Sequence, residues 1–195
     1  GAPGVPACCT CALEPRLLMN ADVLALSLAL NQDDGLDHDV IVRLVEEFQQ
    51  TETQSISTQR VEIRDRNGDS LLAFGDLAAI SSISILGSSG NDTLTIDADS
   101  FGGATLPSFS FDGAAGTDRI VFDTADIATW VIDGTDSGRV GNVSFTNTEN
   151  LTGAANNNDT FVVVDGGAVS GVMDGGAAGY DTLELRDNFA NVLYS

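Results

Sequence analysis

Alternating apolar and polar residues run along most of the chain and predict short β-strands. The segments "VIVRLVEEF" (40–48) and "RVEIRDR" (60–66) are rich in β-branched residues, which pack well on pleated sheets and lose rotamer freedom in helices. Asn67 and Gly68 then form a tight-turn dipeptide between two apolar runs, which predicts a hairpin. The pattern predicts an all-β chain.

Beyond residue 80, one pattern occurs four times: an alternating strand, a glycine turn, an aspartate and a second alternating strand. The four segments are "ISILGSSGNDTLTID" (83–97), "FSFDGAAGTDRIVFD" (109–123), "NLTGAANNNDTFVVVD" (150–165) and "VMDGGAAGYDTLELRD" (172–187). Their turn aspartates are Asp92, Asp118, Asp159 and Asp181, separated by 26, 41 and 22 residues. The longest gap contains two further strand patterns, 129–134 and 142–147, and would fit one coil without the turn.

Short strands and glycine turns at this period are typical of a solenoid, in which stacked units bury what one unit leaves exposed. Leu94, Ile120, Phe161 and Leu183 share one offset after the turn aspartate. We expect them to form one internal ladder, with coils about 4.8 Å apart. We predict a right-handed parallel β-solenoid (a β-helix) over residues 36–195, after an N-terminal segment, 1–35. A β-sandwich is the competing architecture, but it gives no reason for the turn to recur at matched offsets.

Charge narrows the classes of partner. The chain has 29 acidic and 8 basic residues and a net charge of −21, so we expect no nucleic-acid partner, because phosphate binding needs a basic face. The apolar run 17–30 is too short for a membrane span and contains Asn20 and Asp22, so we expect no direct membrane insertion. The charge suits a secreted protein that self-repulsion keeps soluble.

The three cysteines, Cys8, Cys9 and Cys11, all lie in the N-terminal segment. The fold therefore does not depend on internal disulfides. Cys8 and Cys11 have C-x-x-C spacing, but no second ligand pair follows. An interchain disulfide is the favoured role, with metal binding and idle thiols as the alternatives.

Two parts of the sequence resemble known families. "ALEPRLLMNAD" (12–22) resembles the LEPR-XLL motif, found near the N-termini of very large, repetitive bacterial surface or secreted proteins. "GSSGNDTLTID" and "GGAAGYDTLELRD" are similar to the glycine-aspartate turns of such proteins and, more loosely, to the calcium-binding nonapeptides of RTX proteins. The resemblance implies a non-enzymatic structural or adhesive module of a larger protein, outside the cell or on the bacterial surface. Exposed solenoid ends favour a homo-oligomer or filament; surface glycans are a second possible partner.

The RTX-like turns imply calcium as a possible cofactor. Carried over by position, the candidate ligands are Asp92, Asp118, Asp159 and Asp181. The structural turn residues are Gly87, Gly90, Gly113, Gly116, Gly176 and Gly179. The sequence departs from that family because the nonapeptides are not in tandem and the turn "GAANNND" has an asparagine in place of a glycine. The alternative to calcium binding is that each aspartate accepts hydrogen bonds from the backbone N–H groups of its own turn, which is called turn capping.

We expect no catalytic activity, because the chain has one histidine, no lysine and no nucleophile motif. A polysaccharide lyase or hydrolase is the enzymatic alternative, since such sites group carboxylates with a basic residue in a groove. The densest acidic cluster comprises Asp123, Asp126, Asp133 and Asp136, with Arg119 and Arg139 near in sequence. A solvated acidic face explains this cluster more simply.

Overall fold

The computed structural model describes residues 24–30, 35–50 and 54–186, and over these ranges the chain is all-β. Fifteen strands form two sheets, and two short 3-10 turns cover Leu77–Ala79 and Asp99–Phe101. Sheet A contains β1 (Leu24–Ala29), β5 (Ile80–Leu86), β7 (Ser108–Asp112), β9 (Thr129–Gly134), β10 (Ser137–Val140), β11 (Val143–Thr146), β13 (Thr160–Val163) and β15 (Thr182–Leu185). Sheet B contains β2 (Asp39–Gln50), β3 (Ser55–Asp65), β4 (Ser70–Asp76), β6 (Thr93–Asp97), β8 (Arg119–Asp123), β12 (Asn150–Thr152) and β14 (Met173–Asp174). In these ranges no helix has the length and apolar character needed to cross a membrane.

Both sheets are mixed. Sheet A has the order β1-β5-β7-β11-β10-β9-β13-β15, and sheet B has the order β14-β12-β8-β6-β2-β3-β4. Neighbouring strands are parallel except in two antiparallel units, β2–β3–β4 and β9–β10–β11. The all-β prediction is confirmed. The right-handed parallel solenoid is not confirmed, because both sheets are mixed: each of these two units continues antiparallel within its own sheet, whereas a parallel neighbour needs a crossover connection.

The antiparallel unit β2–β3–β4 contains the predicted hairpin, with the turn at Asn67 and Gly68 between β3 and β4. Strand β1 lies before the predicted boundary at residue 36, and it pairs in parallel with β5 in sheet A. The LEPR-XLL motif and the cysteines Cys8, Cys9 and Cys11 lie outside the described residues. The predictions made for them stay predictions.

The predicted single ladder of apolar residues is instead two ladders. Leu94 pairs with Ile120 in sheet B, whereas Phe161 pairs with Leu183 in sheet A. The second ladder continues to the fully buried Trp130, whose ring stacks on Phe161 with the ring centroids 5.5 Å apart. The prediction of one ladder was therefore wrong, although the offset after each aspartate correctly identified the core residues of β6, β8 and β13.

The third and fourth turns join the sheets in the opposite order to the first two because of the 41-residue gap, where a whole coil was expected. The chain instead forms three antiparallel strands, β9, β10 and β11, all in sheet A. It then crosses to sheet B at β12, and the next glycine-aspartate turn follows that strand. The third and fourth turns therefore lead from sheet B to sheet A, while the first two lead from sheet A to sheet B.

Candidate functional site at the glycine-aspartate turns

The four turn aspartates each stand directly before a strand, but they occupy two different corners of the fold. We call the segments 87–92, 113–118 and 147–149, which lead from sheet A to sheet B, the first corner. The segments 124–128, 153–159 and 175–181, which lead from sheet B to sheet A, form the second corner. The first corner contains Asp92 and Asp118, and the second contains Asp159 and Asp181. The structure brings the aspartates together as two pairs and not as one row of four.

At the first corner, each carboxylate accepts a hydrogen bond from the backbone of the preceding coil. Asp92 Oδ1 accepts the N–H of His38 at 3.0 Å, and Asp118 Oδ1 accepts the N–H of Asp92 at 2.7 Å. Glu149 Oε2 in turn accepts the N–H of Asp118 at 2.6 Å. Glu149 was missed in the sequence because its turn lacks the glycine pattern. Only its position directly before β12 could have identified Glu149 as a corner residue.

The second corner repeats this arrangement. Asp159 Oδ1 accepts the N–H of Ala128 at 3.1 Å, and Asp181 Oδ1 accepts the N–H of Asp159 at 2.9 Å. Asn157, which replaces a glycine in this turn, donates its side-chain Nδ2 to Asp159 Oδ1 at 3.0 Å and to the carbonyl oxygens of residues 124 and 126. The asparagine thus ties its turn to the preceding coil.

Capping within the aspartate's own turn, the alternative to calcium binding, is present at Asp92. The backbone N–H of Ser88 donates to Asp92 Oδ2, and the Ser88 hydroxyl donates to Asp92 Oδ1 at 3.1 Å. The prediction of turn capping is therefore confirmed at this position. The bonds to the preceding coil extend the same chemistry from one turn to a stack of turns.

A second set of hydrogen bonds runs in the opposite direction, with side-chain acceptors on Asp37, Asn91 and Asn158. The Oδ1 atoms of Asp37 and Asn91 accept the N–H groups of Asn91 and Thr117, both at 2.8 Å. Asn158 Oδ1 accepts the N–H of Tyr180 at 2.9 Å. Adjacent coils are therefore joined by reciprocal side-chain-to-backbone bonds at both corners.

The first glycine of each turn provides space for the carboxylate. A Cβ atom on Gly113 would lie 2.5 Å from Asp118 Oδ2, and one on Gly87 would lie 2.9 Å from Asp92 Oδ2. In the fourth turn the equivalent residue is Gly175, whose Cβ atom would lie 2.2 Å from Asp181 Cγ. In this turn, Gly175 and not the predicted turn residue Gly176 lies against the carboxylate.

The remaining predicted glycines pack against the backbone of the coil before them. A Cβ atom on Gly90 or Gly116 would lie 2.2 Å from a carbonyl oxygen of that coil, and one on Gly179 would lie 1.8 Å from such an oxygen. A Cβ atom on Gly176 would lie 2.3 Å from the carbonyl oxygen of Ala154, and its φ of +94° also favours glycine. The predicted structural role of these glycines follows from close backbone approach.

Three of the four aspartates are buried, and the outermost, Asp181, is exposed. Burial raises the pKa of Asp118 to about 7; the N–H of Asp92 opposes this shift, and the charges of Asp92, Glu149 and Asp112 add to it. Burial also raises the pKa of Asp159. The Oδ2 atoms of Asp118 and Asp159 are buried without a hydrogen-bond partner. Ionising these carboxylates is therefore costly in the folded state.

The side chains at the corners do not by themselves make a calcium cage. Calcium takes about six to eight oxygen ligands, whereas the described residues contain no group of three or more His, Cys, Asp or Glu side chains placed to hold one metal ion. At the first corner, Asp92, Asp118 and Glu149 are already bonded to backbone N–H groups. A calcium site would need main-chain carbonyls and water, and calcium stays a prediction.

The acidic cluster considered for catalysis is divided between the sheets. Asp133 and Arg139 lie in sheet A and form an exposed ion pair at 2.8 Å, whereas Arg119 and Asp123 belong to β8 in sheet B. Asp136 accepts hydrogen bonds from the N–H and the hydroxyl of Ser170, at 2.7 and 3.0 Å. Of the grouping considered for the enzymatic alternative, the Arg139–Asp133 contact is a surface ion pair within the β9–β10 hairpin.

These features define an all-β protein whose two mixed sheets are joined at corners by buried, hydrogen-bonded carboxylates. The chain matches no protein-family model, no curated protein and no solved structure.

Proposed function

We propose that the protein is a non-enzymatic structural module of a large extracellular protein, which assembles into homo-oligomers or filaments by extending its own sheets. In this proposal, the parallel part of the two sheets is solenoid in form, and the two antiparallel units are insertions into it. Stacked coils suit this role because each coil buries the apolar side of its neighbour.

The observation that carries the proposal is the exposed apolar edge at β15. Leu183 and Leu185 are 55% and 40% exposed, although Phe161, the partner of Leu183 one strand further in, is only 4% exposed. Val172, just before β14 at the edge of sheet B, is 59% exposed. One further coil would bury this surface, and unpaired edge strands favour the pairing that would add it.

The opposite edge of sheet A supplies a matching strand. β1 and β15 run in the same direction, because the two reversals at β10 cancel and every other neighbour in the sheet is parallel. In the sequence, Asp22 stands two residues before Leu24, as Asp181 stands two residues before Leu183. β1 of a second copy therefore has the direction and the residue pattern of a strand that follows β15.

The test is the state of assembly of a variant at this edge. Light scattering and sedimentation velocity should show assembly of the native chain that increases with concentration, and Leu183→Glu should suppress it, because a charge would be placed in the new interface. Ile127→Glu is the matched control, since Ile127 is 68% exposed but lies in the β8–β9 connection. A native chain that stays monomeric at every concentration would refute the proposal, as would equal loss in both variants.

A calcium-stabilised adhesin module is the second candidate function. The observation that favours it is the burial of Asp118 Oδ2 and Asp159 Oδ2 without hydrogen-bond partners, since a cation would offset two costly charges. Thermal unfolding in calcium and in chelator separates the candidates. A melting temperature that falls in chelator supports this function, and an unchanged melting temperature rules it out, whereas assembly through β15 does not require calcium.

A further inference from the structure

We propose that the outer face of sheet B carries a binding site for an acidic sugar, with Arg119 as the group that binds its carboxylate. An open groove of about 520 Å³ lies across the starts of the parallel strands. Asp39, Thr93, Arg119 and Asn150 line it and form one row, because each is paired with the next across β2, β6, β8 and β12. The site lies on the sheet face and does not depend on the assembly proposed above.

Arg119 differs from the other arginines that the structure describes. Each of the others has a carboxylate within 4.0 Å: Arg43, Arg60, Arg64, Arg66, Arg139 and Arg186. Within the described residues Arg119 has none, although the chain has a net charge of −21. Its side chain is exposed in the groove. A guanidinium in this setting has its donors available for bidentate binding of a ligand carboxylate.

The groups beside Arg119 are held in place by the corner itself. Asn150 donates its Nδ2 to the carbonyl of Asp118 at 3.1 Å and accepts the N–H of Val172 at 3.2 Å. Asn91, which also lines the groove, accepts the N–H of Thr117. Groups that are already oriented lose little conformational freedom on binding. Hydroxyl and amide groups around one guanidinium match a ligand that has hydroxyl groups and a carboxylate.

The charge of the chain limits the ligand further. A net charge of −21 repels dense polyanions such as nucleic acids and polyphosphates. The repulsion is weaker for an oligosaccharide in which a neutral sugar separates each carboxylate from the next carboxylate. Asp39 lies two strand spacings from Arg119, about 10 Å away. Its carboxylate, also in contact with Arg66 at 3.6 Å, would accept hydrogen bonds from the hydroxyl groups of an adjacent neutral sugar.

The test measures binding of a tetrasaccharide of alternating glucuronate and N-acetylglucosamine by titration calorimetry. We expect saturable binding by the native chain and none by Arg119→Gln at the same concentrations, or a loss of roughly tenfold to a hundredfold. Arg119→Lys should bind with an intermediate affinity because it keeps the charge but loses the planar fork. Arg139→Gln is the matched control, since Arg139 is another exposed arginine of a strand.

Two further ligands test whether the site recognises an acidic sugar. The neutral N-acetylglucosamine tetramer should bind at least tenfold more weakly, and acetate should not compete at millimolar concentration. The proposal would be overturned if Arg119→Gln and Arg139→Gln lost the same affinity, or if the neutral tetramer bound as tightly as the acidic one. Full competition by acetate would also overturn it. Arg119 has no ion partner within the described residues, so its variants should have the same melting temperature as the native chain, which a melting curve checks. Should Arg119→Gln fail to fold, the affinity of Arg119→Lys decides.

Discussion

The buried carboxylate of Asp118 should make the protein less stable as the pH rises from acid to neutral. Its pKa is about 7 in the folded protein, against an ordinary value of 3.8. Between these pH values the folded state binds more protons at this group than the unfolded chain does, so the free energy of unfolding falls as pH rises. The contribution is complete below about pH 4 and is lost above about pH 7.

The magnitude follows from the pKa difference. A shift of about three units at about 1.4 kcal/mol each corresponds to a penalty on the order of 4 kcal/mol at pH 8. Asp118→Asn removes the charge and keeps an oxygen that accepts the N–H of Asp92. We expect this variant to be more stable than the native chain at pH 8, by up to about 4 kcal/mol, and to lose that advantage by pH 4.

Urea denaturation at pH 4 to 8, followed by the fluorescence of the buried Trp130, measures this difference. The protein should be used at a concentration at which light scattering shows a monomer. Asp123→Asn is the control, because Asp123 is an exposed carboxylate at the other end of β8. A difference between Asp118→Asn and the native chain that is equal at pH 5 and pH 8 would refute the reasoning. A native stability that rises across this interval would also refute it.

Three further predictions test a corner, the buried carboxylate of Glu62 and the core. Gly113→Ala should lower the free energy of unfolding by more than about 2 kcal/mol, because its Cβ atom would lie 2.1 Å from a carbonyl oxygen. Gly68→Ala is the control and should change the free energy of unfolding by under about 1 kcal/mol, because its Cβ atom would lie no closer than 3.4 Å to its neighbours. Glu62→Gln should cost about 1 to 3 kcal/mol at pH 7, because Glu62 is buried but its arginine partners are partly exposed. Burial acts to raise the pKa of Glu62, but hydrogen bonds from two arginines hold it below its ordinary value of 4.5. The cost should therefore shrink as the pH falls below that value, and a cost that stays constant contradicts this. Trp130→Phe should cost less than about 2 kcal/mol, because the indole Nε1 is buried without a partner, whereas Trp130→Ala should cost about 3 to 5 kcal/mol by circular dichroism. Equal costs for the two tryptophan variants would show that cavity formation is not the dominant effect.

The local parts of the fold could be predicted from sequence because they depend on near neighbours. Asn67 and Gly68 identified the hairpin between β3 and β4, and the four glycine-aspartate segments identified eight strands. The assignment of strands to sheets could not be predicted. Gly141, with a φ of +54°, ends β10 with a tight turn and sends β11 back antiparallel, and no local pattern distinguishes this path from a complete coil.

The corner residues could be found only in part. Asp92 and Asp118 were recognised because a glycine turn precedes each of them. Glu149 has an equivalent position after a short turn without glycine, and Ala128 has no side-chain acceptor at all. Their equivalence lies in the position directly before a strand, which becomes apparent only when the strands are paired across the sheets.

The reciprocal bonds at the corners give each coil two different sides. On the side that faces the preceding coil, a coil offers a carboxylate and the N–H of the residue one position earlier. On the side that faces the following coil, it offers the N–H of the carboxylate residue and the side-chain oxygen of the residue one position earlier. Two copies that met with identical sides could not repeat this pairing, because it joins two different sides. Any filament built on this chemistry would therefore be polar, with two chemically distinct ends, and growth at one end could be blocked by a ligand that leaves the other end free.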